Sequence, residues 1–147
     1  TTVVFGLFLA WADHHGDKSI ELRNMTLRIA LIIGVSQALA LIPGTSRSGI
    51  TISMALALGM QRDCAAKFSF LLSIPIILAG GGLESVKLLE AEDTHWNEII
   101  MGAVLSGISA YVCIKLFLSF INRIGMWPFV IYRLMLGAVL AGLLLIG

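Results

Sequence analysis

Three apolar runs fix what this chain can become. Residues 65–89, 97–121 and 127–147 are each long enough to cross a bilayer as a helix, which takes about 20 residues. Three further apolar segments precede them, at roughly 1–12, 26–42 and 44–60. The composition agrees. Of the 147 residues, 58% are hydrophobic and 13% charged, with mean hydropathy +0.94. Soluble domains carry about 25% charged residues. The expected fold is therefore all-α, a polytopic helical bundle integral to a membrane and forming one region over residues 1–147. The net charge of +1 implies no acidic partner. No basic stripe with interleaved aromatics is present, which argues against nucleic acid. Cys64 and Cys113 lack metal-ligand spacing and read as buried free thiols in or near helices.

The pair 26–42 and 44–60 is shorter than a full span and meets at Pro43-Gly44, a helix stop and turn signal. Charge suggests where its ends lie, because cytoplasmic loops carry excess Lys and Arg. Lys18, Arg23 and Arg28 flank one end, and Arg62 and Lys67 the other. The loop at 122–126 holds Arg123, whereas 90–98 holds Glu90, Glu92, Asp93 and Glu98 without a base. This places 122–126 inside, 90–98 outside and the C-terminus outside. With both flanks of 26–60 inside, that segment is two full spans or a re-entrant hairpin with its tip at 43–50. Short arms and a Pro-Gly-Ser tip favour the hairpin. Irregular backbone at membrane depth survives only against protein or a water-filled cavity, so the tip should line a cavity.

The tip reads "LIPGTSRSGITIS", Leu41–Ser53, and Arg47 is the only charged residue from Ile29 to Gln61. A bilayer-buried arginine costs between about 2.5 and 17 kcal/mol, so a chain keeps one where an anion meets it. No acid lies nearby in sequence. The neighbours are donors instead: Thr45, Ser46, Ser48, Thr51 and the amides of Gly44–Gly49. A helix starting near residue 48 would add its positive N-terminus. Guanidinium, hydroxyls and helix end together describe a phosphate or carboxylate site. Gly44 and Gly49 let backbone approach a bulky anion. The plain alternative is a polar turn whose arginine snorkels to a headgroup layer. The stretch is not a P-loop, since it lacks the Gly-Lys-Ser/Thr ending. It is also not the lipid-phosphatase pattern of Ser and Arg with a downstream His and Asp, as no histidine follows before His95.

"PGTSRSGIT", Pro43–Thr51, resembles the signature of the undecaprenyl-diphosphatase family, the bacitracin-resistance phosphatases of bacterial inner membranes. "KFSFLLSIPIILAGG" (67–81) and "PFVIYRLMLG" (128–137) resemble its following segments, so the likeness covers the chain after about residue 20. The resemblance implies removal of the terminal phosphate of undecaprenyl diphosphate, regenerating a carrier lipid for cell-wall synthesis. It implies a fold of two inverted-topology repeats, each with a re-entrant helix pair, and an active site between them facing the periplasm. Arg47, Ser46 and Ser48 would be catalytic. Gly44, Thr45, Gly49 and Thr51 would bind substrate. A serine nucleophile would need a base, and none is visible here.

The family's first repeat carries paired glutamates and a Ser-rich turn with a histidine. Neither is present. The N-terminus reads as the second half of a helix whose start is missing, without the basic region of a signal peptide. We therefore expect a piece of a longer protein. The general base and the glutamates that hold a divalent cation, Mg or Ca, are expected in the absent first repeat, with no metal ligands here. His14 and His15 read as solvated in a polar loop, and Glu84 and Glu90 are not the family's pair.

Gln37, six residues before Pro43 on the first arm, is a candidate substrate-binding residue near the site, the alternative being an interhelical hydrogen bond. Pro75 is expected to kink its helix, and Gly80–Gly82 to loosen or closely pack it. Lys115 and Arg133 are expected to snorkel at cytoplasmic helix ends. Trp11, Trp96 and Trp127 fit interfacial belts. Met54, Met60, Met101 and Met135 read as packing. A second class of function is a carrier moving polyprenyl phosphate or another anion, since inverted repeats with re-entrant helices are also transporter architecture. A carboxylate pair facing Arg47 would separate the two, because only a hydrolase needs it.

Overall fold

The structure, a computed structural model, describes the backbone of residues 1–90 and 96–146 and the side chains of 1–86 and 96–143. Glu92, Asp93 and His95 of the acidic stretch lie outside the described residues. Six α-helices follow in chain order: α1 (Thr2–His15), α2 (Leu27–Ser36), α3 (Arg47–Ala57), α4 (Arg62–Glu90), α5 (Trp96–Ile124) and α6 (Trp127–Ile146). Short 3₁₀ turns occupy Leu22–Asn24 and Gln37–Leu41. The described chain is helical throughout apart from turns and one isolated backbone bridge, between Ile20 and Met60.

Local chemistry sets the helix ends. Thr26 caps α2, its hydroxyl accepting the Ile29 amide at 3.4 Å. The helix then tightens into the 3₁₀ turn and stops at Ile42, whose extended backbone is what a following proline demands. The chain reverses through Ile42-Pro43-Gly44-Thr45, with the Thr45 amide donating to the Ile42 carbonyl at 3.1 Å. Gly44 has φ +84°, which the third position of a type II turn requires and glycine supplies without strain. At its far end α3 closes with a Schellman motif. The Met60 amide donates to Ala55 and the Gly59 amide to Leu56, with Gly59 at φ +88°.

Helix α3 is the hub. Its Ile50, Thr51, Ile52, Ser53, Ala55 and Leu56 are buried, against α1, α2 and α4. The core adds Leu9 and Ala12 of α1, Ile33 of α2, Ala65 and Ala66 of α4, Ile121 of α5 and Val130 of α6. Helices α1 and α3 run the same way. Thr2 donates to the Gly44 carbonyl at one end, and Gly16 lies against the Leu56 carbonyl at the other. Helix α6 runs opposite to α1, pairing Arg133 with Gly6 and Gly137 with Val3. Phe117 joins Phe70 and Phe129 in an aromatic row linking α4, α5 and α6, with centroids 5.6 and 5.0 Å apart.

The two ends of the α2–α3 excursion meet. The Ser19 and Ile20 amides donate to the Gly59 carbonyl, and Gln61 donates back to Ile20. Beside this stitch, Arg62 holds the buried Asp13 with two hydrogen bonds, 2.6 and 3.0 Å, and Lys18 stands 3.8 Å from the same carboxylate. Residues 13–20 and 59–62 are thus one junction.

Helices α4 and α5 are long and apolar enough to cross a membrane, while the apolar part of α6 that meets the same test, Trp127–Leu143, is shorter. Leu105, Ile108, Tyr111 and Val112 of α5 are all exposed. A broad exposed apolar face on so long a helix suits lipid rather than water. Helix α4 continues through Pro75. Nothing in the described chain comes within 4 Å of a Cβ placed at Gly80, Gly81 or Gly82, so those glycines seat no neighbour here. His14 and His15 occupy the last turn of α1 rather than a loop. Both are exposed, and His15 stacks on Trp11 at 5.6 Å. Cys64 is buried as expected, whereas Cys113 is exposed on the α5 surface.

Candidate active site

The Pro43-Gly44 turn delivers the chain into α3 through Ser46, which has extended backbone and caps the helix. Its hydroxyl accepts the Gly49 amide at 3.2 Å and lies 3.2 Å from the Ser48 hydroxyl. The helix start leaves the Arg47 and Ser48 amides without an intrahelical acceptor. Hydroxyls, free amides and the positive helix end therefore gather within one turn.

Beside this turn lies a cavity of about 560 Å³. Gly44, Thr45, Ser46, Ser48 and Gly49 line one side of it, and Arg133 of α6 closes the polar end. The remaining wall is apolar, with Phe117, Phe129, Leu136 and Leu140 prominent. Among the described residues no carboxylate lines it. Arg133, expected from its sequence position to snorkel at a helix end, instead lays its guanidinium beside Gly49. Its Nη1 is buried without a hydrogen-bond partner among the described residues. A Cβ at Gly49 would stand 3.1 Å from that nitrogen, so a side chain there would push the guanidinium off the first turn of α3 by a few tenths of an ångström. The Thr45 hydroxyl, on the same cavity, is likewise buried and unpaired.

The other anticipated residues separate. Arg47 is half-buried, is not among the cavity-lining residues, and its side chain makes no hydrogen bond or ion pair with the described residues. Thr51 is 1% exposed and turned inward. Its oxygen lies 3.0 Å from the Arg47 carbonyl, 3.2 Å from the Ser48 carbonyl and 2.6 Å from the Ser69 hydroxyl. With one proton to give, Thr51 donates to backbone and accepts from Ser69, which fastens α3 to α4. Gln37 opens the 3₁₀ turn outside the cavity lining, with its Oε1 buried and unpaired.

The family model for bacitracin resistance protein BacA matches residues 1–139. The chain belongs to this family. Similar proteins include the undecaprenyl-diphosphatases of Saccharophagus degradans, 63% identical over 138 residues, and Chromohalobacter salexigens, 60% identical over 141. These alignments take in 94% and 95% of this chain but 52% and 53% of the relatives. That of Campylobacter concisus is 53% identical over 99% of the chain and 55% of its own length. The chain spans about half the length of the curated relatives it matches.

In this BacA-family chain, Arg133 is the cavity residue that sequence reasoning assigned elsewhere. The signal was available: "VIYRLML" sets a lone permanent charge inside an apolar helix, the same anomaly that marks Arg47. What the sequence does not encode locally is that α6 runs antiparallel to α1 and so brings residue 133 level with Gly49. The site's own atoms do not suit a metal cation. They are hydroxyls and guanidinium nitrogens, and no group of three His, Cys, Asp or Glu able to hold a metal occurs among the described residues.

Proposed function

We propose that this chain forms the phosphate-gripping part of an undecaprenyl-diphosphatase of the bacterial inner membrane. The reaction is net hydrolysis of the P–O–P bond, with the elements of water ending on the two products, undecaprenyl phosphate and inorganic phosphate, for carrier-lipid recycling. The carrying observation is the donor-only turn. Ser46, Ser48, free amides and a helix N-terminus meet at Arg47, with no carboxylate on the adjoining cavity. Such a cluster repels cations and stabilises phosphoryl oxygens, and phosphoryl transfer depends mainly on positioning and electrostatics. The names of the relatives point the same way.

In this reading Arg47 holds the terminal phosphate, and Ser46 and Ser48 donate to it. The general base or nucleophile, and the glutamates that ligate a divalent cation, belong to the first-repeat half. Among the described residues the site's hydroxyls and guanidinium nitrogens do not fit that cation.

The α2–α3 pair is a re-entrant hairpin, and the chain is one of two inverted repeats. Three features support the hairpin. The ends of the excursion are bonded together at Ile20 and Gly59. Helix α3, at 11 residues, is about 16 Å long, roughly half a bilayer core. Leu41 beside the tip is 86% exposed, which suits lipid or protein better than water. The junction then lies on the cytoplasmic side, and the site and the C-terminus face the periplasm.

The test is phosphate release from undecaprenyl diphosphate by the full-length protein in detergent. Wild type should be active, and Arg47→Ala should lose at least about a hundredfold, roughly 2.7 kcal/mol. Full activity in the variant would remove Arg47 from the chemistry. A wild type that binds the lipid through Arg47 and releases no phosphate would make the protein a carrier.

A further inference from the structure

We propose that Arg133 is the second phosphate-binding arginine, gripping the phosphate that stays on the lipid while Arg47 takes the one that leaves. The proposal rests on the phosphatase reading for its substrate and adds a division of labour to it.

The starting point is an unbalanced charge. An arginine cannot shed its proton in a protein, so Arg133 is cationic wherever it sits. Among the described residues its Nη1 is buried with no acceptor, and neither an ion pair nor a cavity-lining carboxylate answers it. A buried, unmatched donor on a charged group is costly to leave unmade. The cost is offset when an anion enters the cavity the guanidinium faces. The Thr45 hydroxyl, buried and unpaired on that cavity, is a second donor awaiting the same acceptor. Gly49 shows that the approach is built in, since any side chain there would meet Nη1 and Cζ at 3.1 and 3.2 Å.

The cavity's other end identifies the anion's class. Beyond Arg133 the wall turns apolar through Leu136 and Leu140, on the next two turns of α6. One polar end with two unpaired donors and one hydrocarbon end match an amphiphile with an anionic head, not free phosphate. In a polyprenyl diphosphate, only the lipid-side phosphate adjoins the hydrocarbon. That phosphate therefore belongs at Arg133, and the terminal one falls across the first turn of α3, toward Arg47.

The two arginines then differ in a measurable way. The lipid-side phosphate is present in both substrate and product, whereas the terminal one is present only in substrate. The experiment uses the full-length protein in detergent, with Arg133→Gln, Gly49→Ala and Arg47→Gln beside wild type. Each is checked by thermal unfolding and assayed for hydrolysis of polyprenyl diphosphate. Binding of polyprenyl monophosphate and of the uncharged polyprenol is measured in parallel. Arg133→Gln should weaken monophosphate binding about tenfold to a hundredfold, the range of a charged hydrogen bond, and leave polyprenol binding unchanged. Its KM should rise more than its kcat falls. Gly49→Ala, which crowds the guanidinium without removing it, should show a smaller loss of the same kind. Arg47→Gln should lower kcat and spare monophosphate binding.

Unchanged monophosphate binding in a folded Arg133→Gln protein overturns the proposal. So does an equal loss of polyprenol binding, which would make Arg133 a wall of the cavity. Should Arg133→Gln fail to fold, Gly49→Ala decides by the same two ligands. If wild type hydrolyses nothing yet binds monophosphate through Arg133, the phosphatase reading fails while the Arg133 assignment stands.

Discussion

Gly44 carries the geometry of the turn. Its φ of +84° lies where an L side chain is strained, and a Cβ there would stand 3.3 Å from the Thr2 hydroxyl. Gly44→Ala should therefore cost about 1 to 2 kcal/mol. It should also loosen the Thr2 contact that ties the tip to α1. Unfolding of the purified protein in detergent measures this, and an unchanged stability would mean the turn adopts another shape. This position was legible, because Pro-Gly between two apolar arms has few backbone solutions. Thr51 was not. Sequence groups it with the donors of its turn, but four residues into a helix its hydroxyl reaches the carbonyl behind it, and packing then meets it with Ser69.

Helix α3 puts one serine to two uses. Ser46 caps the helix through the Gly49 amide and also faces the cavity beside Ser48. Substitution separates the roles. Ser46→Ala removes the cap and should cost about 1 kcal/mol of stability, whereas Ser46→Gly should cost only a few tenths. Both remove the hydroxyl. If that hydroxyl binds the terminal phosphate, the two variants should lose the same fraction of phosphatase activity despite unequal stability. Activity that tracks stability instead would reduce Ser46 to a cap. The existence of α3 and its neighbours was readable from apolar runs separated by turn residues. The tightening of α2 into a 3₁₀ turn was not, because it follows from fitting Gln37–Leu41 between the buried Ile33 and Ser36 of α2 and a proline-fixed turn.

At the scale of the whole molecule, the question is how deep the tip sits. Helix α1 runs from the tip, where Thr2 meets Gly44, to the junction, where Asp13 meets Arg62. Its 14 residues cover about 21 Å, which puts the tip well inside a core of about 30 Å if the junction is at the headgroups. Arg133 stands level with the tip, on the second turn of α6, which explains how two arginines far apart in sequence share one depth. The sequence revealed each as an anomaly but held no information on their distance, since that depends on α6 folding back along α1. Nitroxide labels test the depth directly. In a variant lacking Cys64 and Cys113, labels at Ser19 and Gln61 should report headgroup depth by their relaxation with oxygen and with a water-soluble nickel complex. A label at Leu41 should report the hydrocarbon interior. A label at Leu41 that reads headgroup depth on the opposite face from Ser19 would mean that 26–60 crosses the membrane twice, and the hairpin would have to be given up.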